Sequence, residues 1–380
     1  MTPLEDGRIL VVGGHAQGAT GIDNILLFDP VTTTWTGQPP SPQGRYYPTT
    51  TRLADGRVLI TGGFTDTGAD NTNVEVYTPP PAGSNVGTVA VVGQHRGGLY
   101  PHQWVLPSGG VLEVGDRGTF VLDPTTWTWA ARPRPIAKHG SGEGAVLLPG
   151  SPSGSTRVML TGGGNTTTAY TATESYDAAT ASVPWAPRAS LPEPRAHMSE
   201  VLLPDRTVLG IGGNSKGNFE LPKYSALRYD PAINSWVRLA AQVKRRAYHS
   251  SAVLLPDGRV LSAGDTGTGG GRNTIEIYSP PYLFQGARPT VLSSPSQVDH
   301  GADFTISTPD STSRAVLMSP GASTHTTDMS ERIVELQITG GANSITATAP
   351  SRTVAPTGWY MLFLVDSAGT PSIATWIHVG

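Results

Sequence analysis

Residues that could do chemistry recur at one position along the chain. Counting eight residues back from Asp55, Ser108, Asp205 and Asp257 gives Tyr47, Tyr100, His197 and His249. Tyr248 stands beside His249. Imidazole nitrogen suits copper, zinc and iron, and a mixed N,O set suits Cu(II) in particular. No carboxylate occupies these positions, which disfavours calcium and magnesium. The same side chains would equally serve as an aromatic plug whose members hydrogen-bond one another, and position alone does not separate the two readings.

The position recurs because the elements that carry it recur. Each unit has a short turn, an apolar run and then Gly-Gly or Gly-Asp. The first glycine of the pair falls at 13, 62, 115, 162, 212 and 264, at spacings of 47 to 53 residues. A period near 50 predicts kelch-type propeller blades. A strand-like segment such as Ser251–Leu255 precedes each turn, and a polar loop and another short strand follow the glycines. Asp29 with Trp35, Asp123 with Trp129 and Asp230 with Trp236 repeat six apart, and such a Trp is expected to pack between neighbouring sheets. The innermost strand of a blade begins near the propeller axis, so equivalent positions in successive blades would form a ring there.

The repeat stops near Tyr278, and Ser279–Leu283 reads as a linker. About a hundred residues of short strands follow, including Gly358–Val365 and Ala374–Val379, in the pattern of a sandwich. The expected fold class is therefore all-β. A kelch-type β-propeller with six visible repeats occupies residues 1–283, and an immunoglobulin-like β-sandwich occupies residues 284–380.

Composition agrees. The 380 residues include 46 Gly and 33 Pro and are only 14% charged, which suits many short strands and turns rather than a helical bundle. Net charge is −3 and the longest basic cluster is Lys244-Arg245-Arg246, so no nucleic-acid surface is expected. No apolar stretch is long enough to span a membrane. The first residues, Met1 to Asp6, carry neither the basic region nor the apolar run of a signal peptide. Cysteine is absent, which excludes disulfides, thiolate zinc sites and cysteine nucleophiles in this chain.

The segment Arg246-Ala247-Tyr248-His249-Ser250-Ser251, followed by Leu254-Leu255-Pro256-Asp257-Gly258-Arg259, resembles the Tyr-His motif of galactose oxidase and glyoxal oxidase. Gly321-Ala322-Ser323-Thr324-His325-Thr326 is similar to the second histidine motif of these copper radical oxidases. Gly44-Arg45-Tyr46-Tyr47-Pro48-Thr49 resembles their equatorial tyrosine motif, and Ile277–Leu283 their domain junction. The resemblance implies copper held by Tyr47, Tyr248, His249 and His325. It implies a tyrosyl radical on Tyr47 and a proton-accepting Tyr248. It implies that a small aldehyde or primary alcohol is oxidised with O2 to give H2O2, by a secreted or cell-surface monomer.

The chain also departs from the family pattern. The family has seven blades, so the propeller is expected to be N-terminally incomplete. The family links its radical tyrosine to a cysteine by a thioether, which this cysteine-less chain cannot form, so weak oxidation is expected. Tyr100 is followed by Pro101 where galactose oxidase has an Arg, which favours the glyoxal oxidase side over sugar substrates. The indole of galactose oxidase falls at Thr65, beside Phe64. Phe64, Tyr100 and His197 are candidates for the substrate pocket or for contacts behind the ligands. The alternative is a non-catalytic propeller that binds a glycan or a protein, which the missing cysteine favours.

Overall fold

Short apolar runs closed by Asp-Gly-Arg turns fold as hairpins, because the carboxylate accepts the amide two residues on and the glycine takes a left-handed conformation. At Asp55-Gly56-Arg57 the Arg57 amide donates to Asp55 Oδ1 at 3.1 Å, and Gly56 has φ +85°. The computed structural model describes residues 1–81, 84–216, 219–266, 272–341 and 343–380. Successive hairpins build six small antiparallel sheets, each paired in chain order. The first runs from Thr2–Pro3 to Thr34–Gly37, the second from Thr49–Arg52 to Thr88–Gln94, and the third from His102–Val105 to Thr128–Arg132. The fourth runs from Ser141–Leu147 to Ala186–Pro187, the fifth from Ala196–Leu202 to Ser235–Ala241, and the sixth from Ser250–Leu254 to Ile275–Tyr278. The first five sheets have four strands, and the sixth has three among the described residues.

A 3-10 turn, Pro281–Phe284, follows the repeats where the linker was expected, with Tyr282 buried and its hydroxyl donating to Gly258 O at 2.5 Å. Beyond it stand a five-stranded sheet and a three-stranded sheet, the two layers of a sandwich. The strand Gln337–Gly341 of the smaller sheet was not legible in the sequence pattern. A two-stranded hairpin, Ser323–Thr324 with Thr327–Asp328, projects between sandwich strands.

By contacts the chain divides into two compact units. The first holds residues 1–134, 351–359 and 380, and thus the first three sheets. The second holds residues 135–350 and 360–379, with sheets four to six and most of the sandwich. In the second unit one core joins Val146 and Met159 of sheet four, Leu209 and Ile211 of sheet five and Val260 of sheet six to sandwich residues such as Val316, Met361 and Phe363. Burial of this kind stabilises by roughly 25 cal/mol per Å² of apolar surface, so the sandwich is anchored to these sheets rather than tethered.

The Trp positions differ from one another. Trp129 lies flat on the His95 ring at 3.8 Å, and Trp236 packs on Tyr229 at 5.0 Å. Trp35, expected between sheets, is 57% exposed and meets Phe28, because the fourth strand of the first sheet faces solvent. Among the described residues no helix is long and apolar enough to cross a membrane.

Candidate metal centre

The recurring position is a backbone position before it is a chemical one. Tyr47, Tyr100, His197 and His249 all have left-handed backbones, with φ of 61°, 44°, 59° and 59°. For a non-glycine residue this costs of order 1–3 kcal/mol, and such residues concentrate at functional sites. Each lies at the entry to the first strand of its sheet: the next residue, Met198 or Ser250, pairs with the first glycine of the repeat, Gly212 or Gly264. The same register in the fourth sheet, Glu143 opposite Gly162, puts Gly142 at this position with φ +70°. A Cβ there would lie 2.5 Å from the His197 ring, so glycine opens the slot that the imidazole fills.

Buried arginines hold these entries. Arg45, Arg195 and Arg246 are fully buried, and each donates to the carbonyl of its repeat glycine, Gly62, Gly212 or Gly264. Each also meets a glutamate: Arg45 with Glu75 at 2.8 Å, Arg195 with Glu193 at 2.7 Å and Arg246 with Glu276 at 3.4 Å. In the fourth sheet His139 takes the place of arginine, reaching Gly162 O at 3.1 Å and Glu174 at 3.3 Å. The arginine stands two residues before Tyr47 and His197 but three before His249. The extra residue in the last repeat makes room for Tyr248 beside His249. These arginines were visible at 45, 195 and 246, but nothing in spacing alone gave them a role.

In the second unit the structure brings Tyr248, His249 and His325 together. The His249 and His325 rings lie 4.4 Å apart, edge to face at 78°. Tyr248 stacks on His249 at 3.9 Å and meets His325 edge-on at 5.2 Å. His197 stands 5.0 Å from the Tyr248 ring on another side, and Phe219, which the sequence did not single out, stacks on Tyr248 at 4.1 Å and 12°.

His325 reaches this group from the sandwich. It and Thr326 form a two-residue turn with φ of 47° and 70°, the left-handed pair of a tight hairpin. Thr326 Oγ1 donates to Glu143 O at 2.9 Å, Ser251 Oγ donates to Ser323 O at 3.2 Å, and the Leu147 amide donates to Glu331 at 2.7 Å. These bonds tie the hairpin to sheets four and six.

Desolvation favours the neutral form of all three imidazoles, although only His197 is buried, His325 being half-buried and His249 exposed. It pulls His325 down to about 3, with His249 and His197 adding to the effect, and it lowers His197 to about 4 and also lowers His249. Neutral imidazole is the form that binds metals. His325 Nδ1 meets Thr324 Oγ1 at 2.7 Å, and donation to that hydroxyl leaves the lone pair on Nε2. Among the described residues no three of His, Cys, Asp or Glu are grouped to hold a metal ion. A metal here therefore needs phenol oxygen as well as imidazole, which is the donor chemistry this group offers, and it fits copper.

Tyr47 belongs to the first unit. Its ring stacks on Tyr46 at 3.8 Å and on Tyr100 at 4.6 Å. Phe64 lies beyond Tyr46 at 6.4 Å. Burial pushes the Tyr46 phenol well above its usual range, and a hydrogen bond with Tyr47 adds to this.

Comparison with known proteins adds the family. The glyoxal oxidase N-terminus family matches residues 2–280, and the galactose oxidase-like early set domain matches residues 288–379. A galactose oxidase from Gibberella zeae is 36% identical over 200 residues, covering 49% of this chain and 29% of that protein. An aldehyde oxidase from Arabidopsis thaliana is 30% identical over 225 residues, covering 50% of this chain and 36% of that protein. The matches thus span about a third of these relatives' length. The fold is that of a fungal alcohol oxidase solved in complex with copper, with a TM-score of 0.85 at 23% identity, covering 99% of this chain and 84% of that one. The chain belongs to the glyoxal oxidase N-terminus family and carries a galactose oxidase-like early set domain.

Proposed function

We propose that this chain is the copper-binding body of an oxidase that converts small aldehydes or primary alcohols with O2 into the oxidised product and H2O2. The observation that carries this reading is the cluster of Tyr248, His249 and His325, in which a half-buried and an exposed imidazole, both held toward the neutral form, lie 4.4 Å apart. In this reading the six sheets are kelch-type blades, the sandwich is immunoglobulin-like, and Tyr47 joins the three as fourth ligand.

Bound copper would supply a one-electron acceptor and a Lewis acid. His249 and His325 would hold it through ring nitrogen, the latter oriented by Thr324. Tyr248, as phenolate, would accept the hydroxyl proton of the substrate at Oη. Tyr47 would take the second electron equivalent as a phenoxyl, because alcohol oxidation removes two electrons. Phe219 and His197 flank the Tyr248 ring and would hold it in place. By family resemblance alone, the protein is read as an extracellular monomer.

The test is a Cu(II) titration followed by a peroxide assay on small aldehydes and primary alcohols. Stoichiometric copper with weak peroxide formation is expected, because the chain has no cysteine to form a thioether. No copper uptake overturns the reading and favours a second one, a propeller that binds a glycan or protein without catalysis. The absence of cysteine is the observation on which that second reading rests.

A further inference from the structure

In the first unit Tyr47 is held between two other phenols. Tyr46 lies 3.8 Å away at 17°, and Tyr100 lies 4.6 Å away at 22°. Two near-parallel rings at these distances would collide on one face of a phenol, so they take opposite faces. Backbone bonds hold the stack in place. The Tyr46 amide donates to Phe64 O at 2.7 Å, the Phe64 amide returns to Tyr46 O at 2.9 Å, and the Tyr100 amide donates to Tyr47 O at 3.0 Å. The left-handed backbones of Tyr47 and Tyr100 turn their rings into the column. Thr65, where the resemblance puts an indole, is buried and carries no ring.

We propose that Tyr46 and Tyr100 share the unpaired electron when Tyr47 is oxidised, so that a stack of three phenols stabilises the radical. The inference rests on reading Tyr47 as the radical tyrosine. One electron leaves the Tyr47 phenol for a one-electron oxidant, its proton leaves for solvent, and the phenoxyl remains. An electron-poor ring gains from the electron-rich faces of its neighbours. The hydrogen bond between Tyr46 and Tyr47 can further stabilise the phenoxyl oxygen. Tyr46 and Tyr100 act through Tyr47 and are tuning residues rather than catalytic ones.

The experiment uses copper-free protein oxidised with hexachloroiridate(IV), which is reduced to iridium(III), and read by freeze-quench electron paramagnetic resonance and near-infrared absorption. The wild-type radical should show reduced ring-proton coupling and a charge-resonance band. Tyr46→Leu and Tyr100→Leu should each weaken the band and shorten the radical lifetime about 3- to 10-fold, the factor one stacked pair is worth. Tyr46→Phe, which keeps the ring, should retain most of the band. Tyr47→Phe should abolish the signal.

Wild-type spectra and lifetimes in both leucine variants overturn the proposal, as does a radical that survives Tyr47→Phe. If Tyr46→Leu does not fold, Tyr100→Leu and Tyr46→Phe decide the matter. Copper titration is read separately: a chain that takes no copper but shows the shared radical loses the proposed function and keeps this inference, and a copper-binding chain without spin sharing does the reverse.

Discussion

Sheets two and three of the first unit and sheets five and six of the second carry the same left-handed entry residue, yet one pair presents phenols and the other imidazoles. Tyr47 and Tyr100 stack flat on each other at 22°, whereas His249 and His325 meet edge to face at 78°. Flat stacking lays one π face over another, whereas an edge-to-face pair sets one imidazole plane across the other. The backbone device therefore sets where a side chain begins, and the residue type decides whether a phenol or an imidazole is presented there.

The largest test of this difference is ligand removal. His249→Ala or His325→Ala should lower Cu(II) affinity by more than about 100-fold, since even groups behind the ligands are worth about 10–100-fold. Tyr100→Leu should change it by less than about 3-fold. Competition with a chelator of known affinity measures both, and equal losses would erase the distinction between the two regions.

A second contrast lies three residues further along the strands. Gln103 follows Tyr100 there and is neutral, accepting from Thr51 at 2.8 Å and donating to Thr61 at 2.8 Å. Glu200 follows His197 and is buried, with Thr161 donating to it at 2.7 Å. Burial raises its carboxyl from 4.5 to about 7, against the opposing Thr161 bond. The native state thus favours the protonated acid. That stability is complete below pH 4.5 and is lost as pH rises through about 7. Relative to Glu200→Gln, wild type should lose about 3 kcal/mol between pH 4.5 and pH 9 by urea unfolding, at about 1.4 kcal/mol per unit. A constant difference across that range would show that the carboxyl does not titrate there.

Gly142→Ala should cost about 2 kcal/mol, because strain at φ +70° adds to the clash with His197. Gly68→Ala, at φ +80° with only Ala19 O nearby, should cost about 1 kcal/mol from strain alone. Equal costs in denaturant melts would mean that the His197 slot is not tight.

The smallest expected effect is Thr324→Val. It removes the partner of His325 Nδ1 and should weaken Cu(II) binding about 10-fold, with little change in melting temperature. A change in melting temperature without a change in affinity would make Thr324 a folding residue instead.

Much of this was legible in advance, for physical reasons. A repeat near fifty residues announces itself because each sheet must solve the same turn and packing problem, so Asp-Gly-Arg and the paired glycines recur. The entry position at Tyr47, Tyr100, His197 and His249 could be counted from the turn because strand length between turn and entry is constant. Gly142 escaped that count because the fourth sheet has a longer turn, Leu148 to Thr156, which shifts the spacing. Phe219 and Tyr46 also escaped it. The first lies on a loop outside the repeat, and the second was read only as part of a motif.

By itself, the sequence determined the repeats, the all-β class and the donor types, since these follow from local turn chemistry, strand periodicity and side-chain inventory. Only the tertiary structure decided that His325, more than seventy residues beyond His249, lies 4.4 Å from it. Only it decided that Tyr46 and Tyr100 both lie against Tyr47. Such neighbours depend on how the sandwich core seals against sheets four to six, and on left-handed turns that aim each ring. Both are settled by packing between distant segments, which leaves no period in the chain to count.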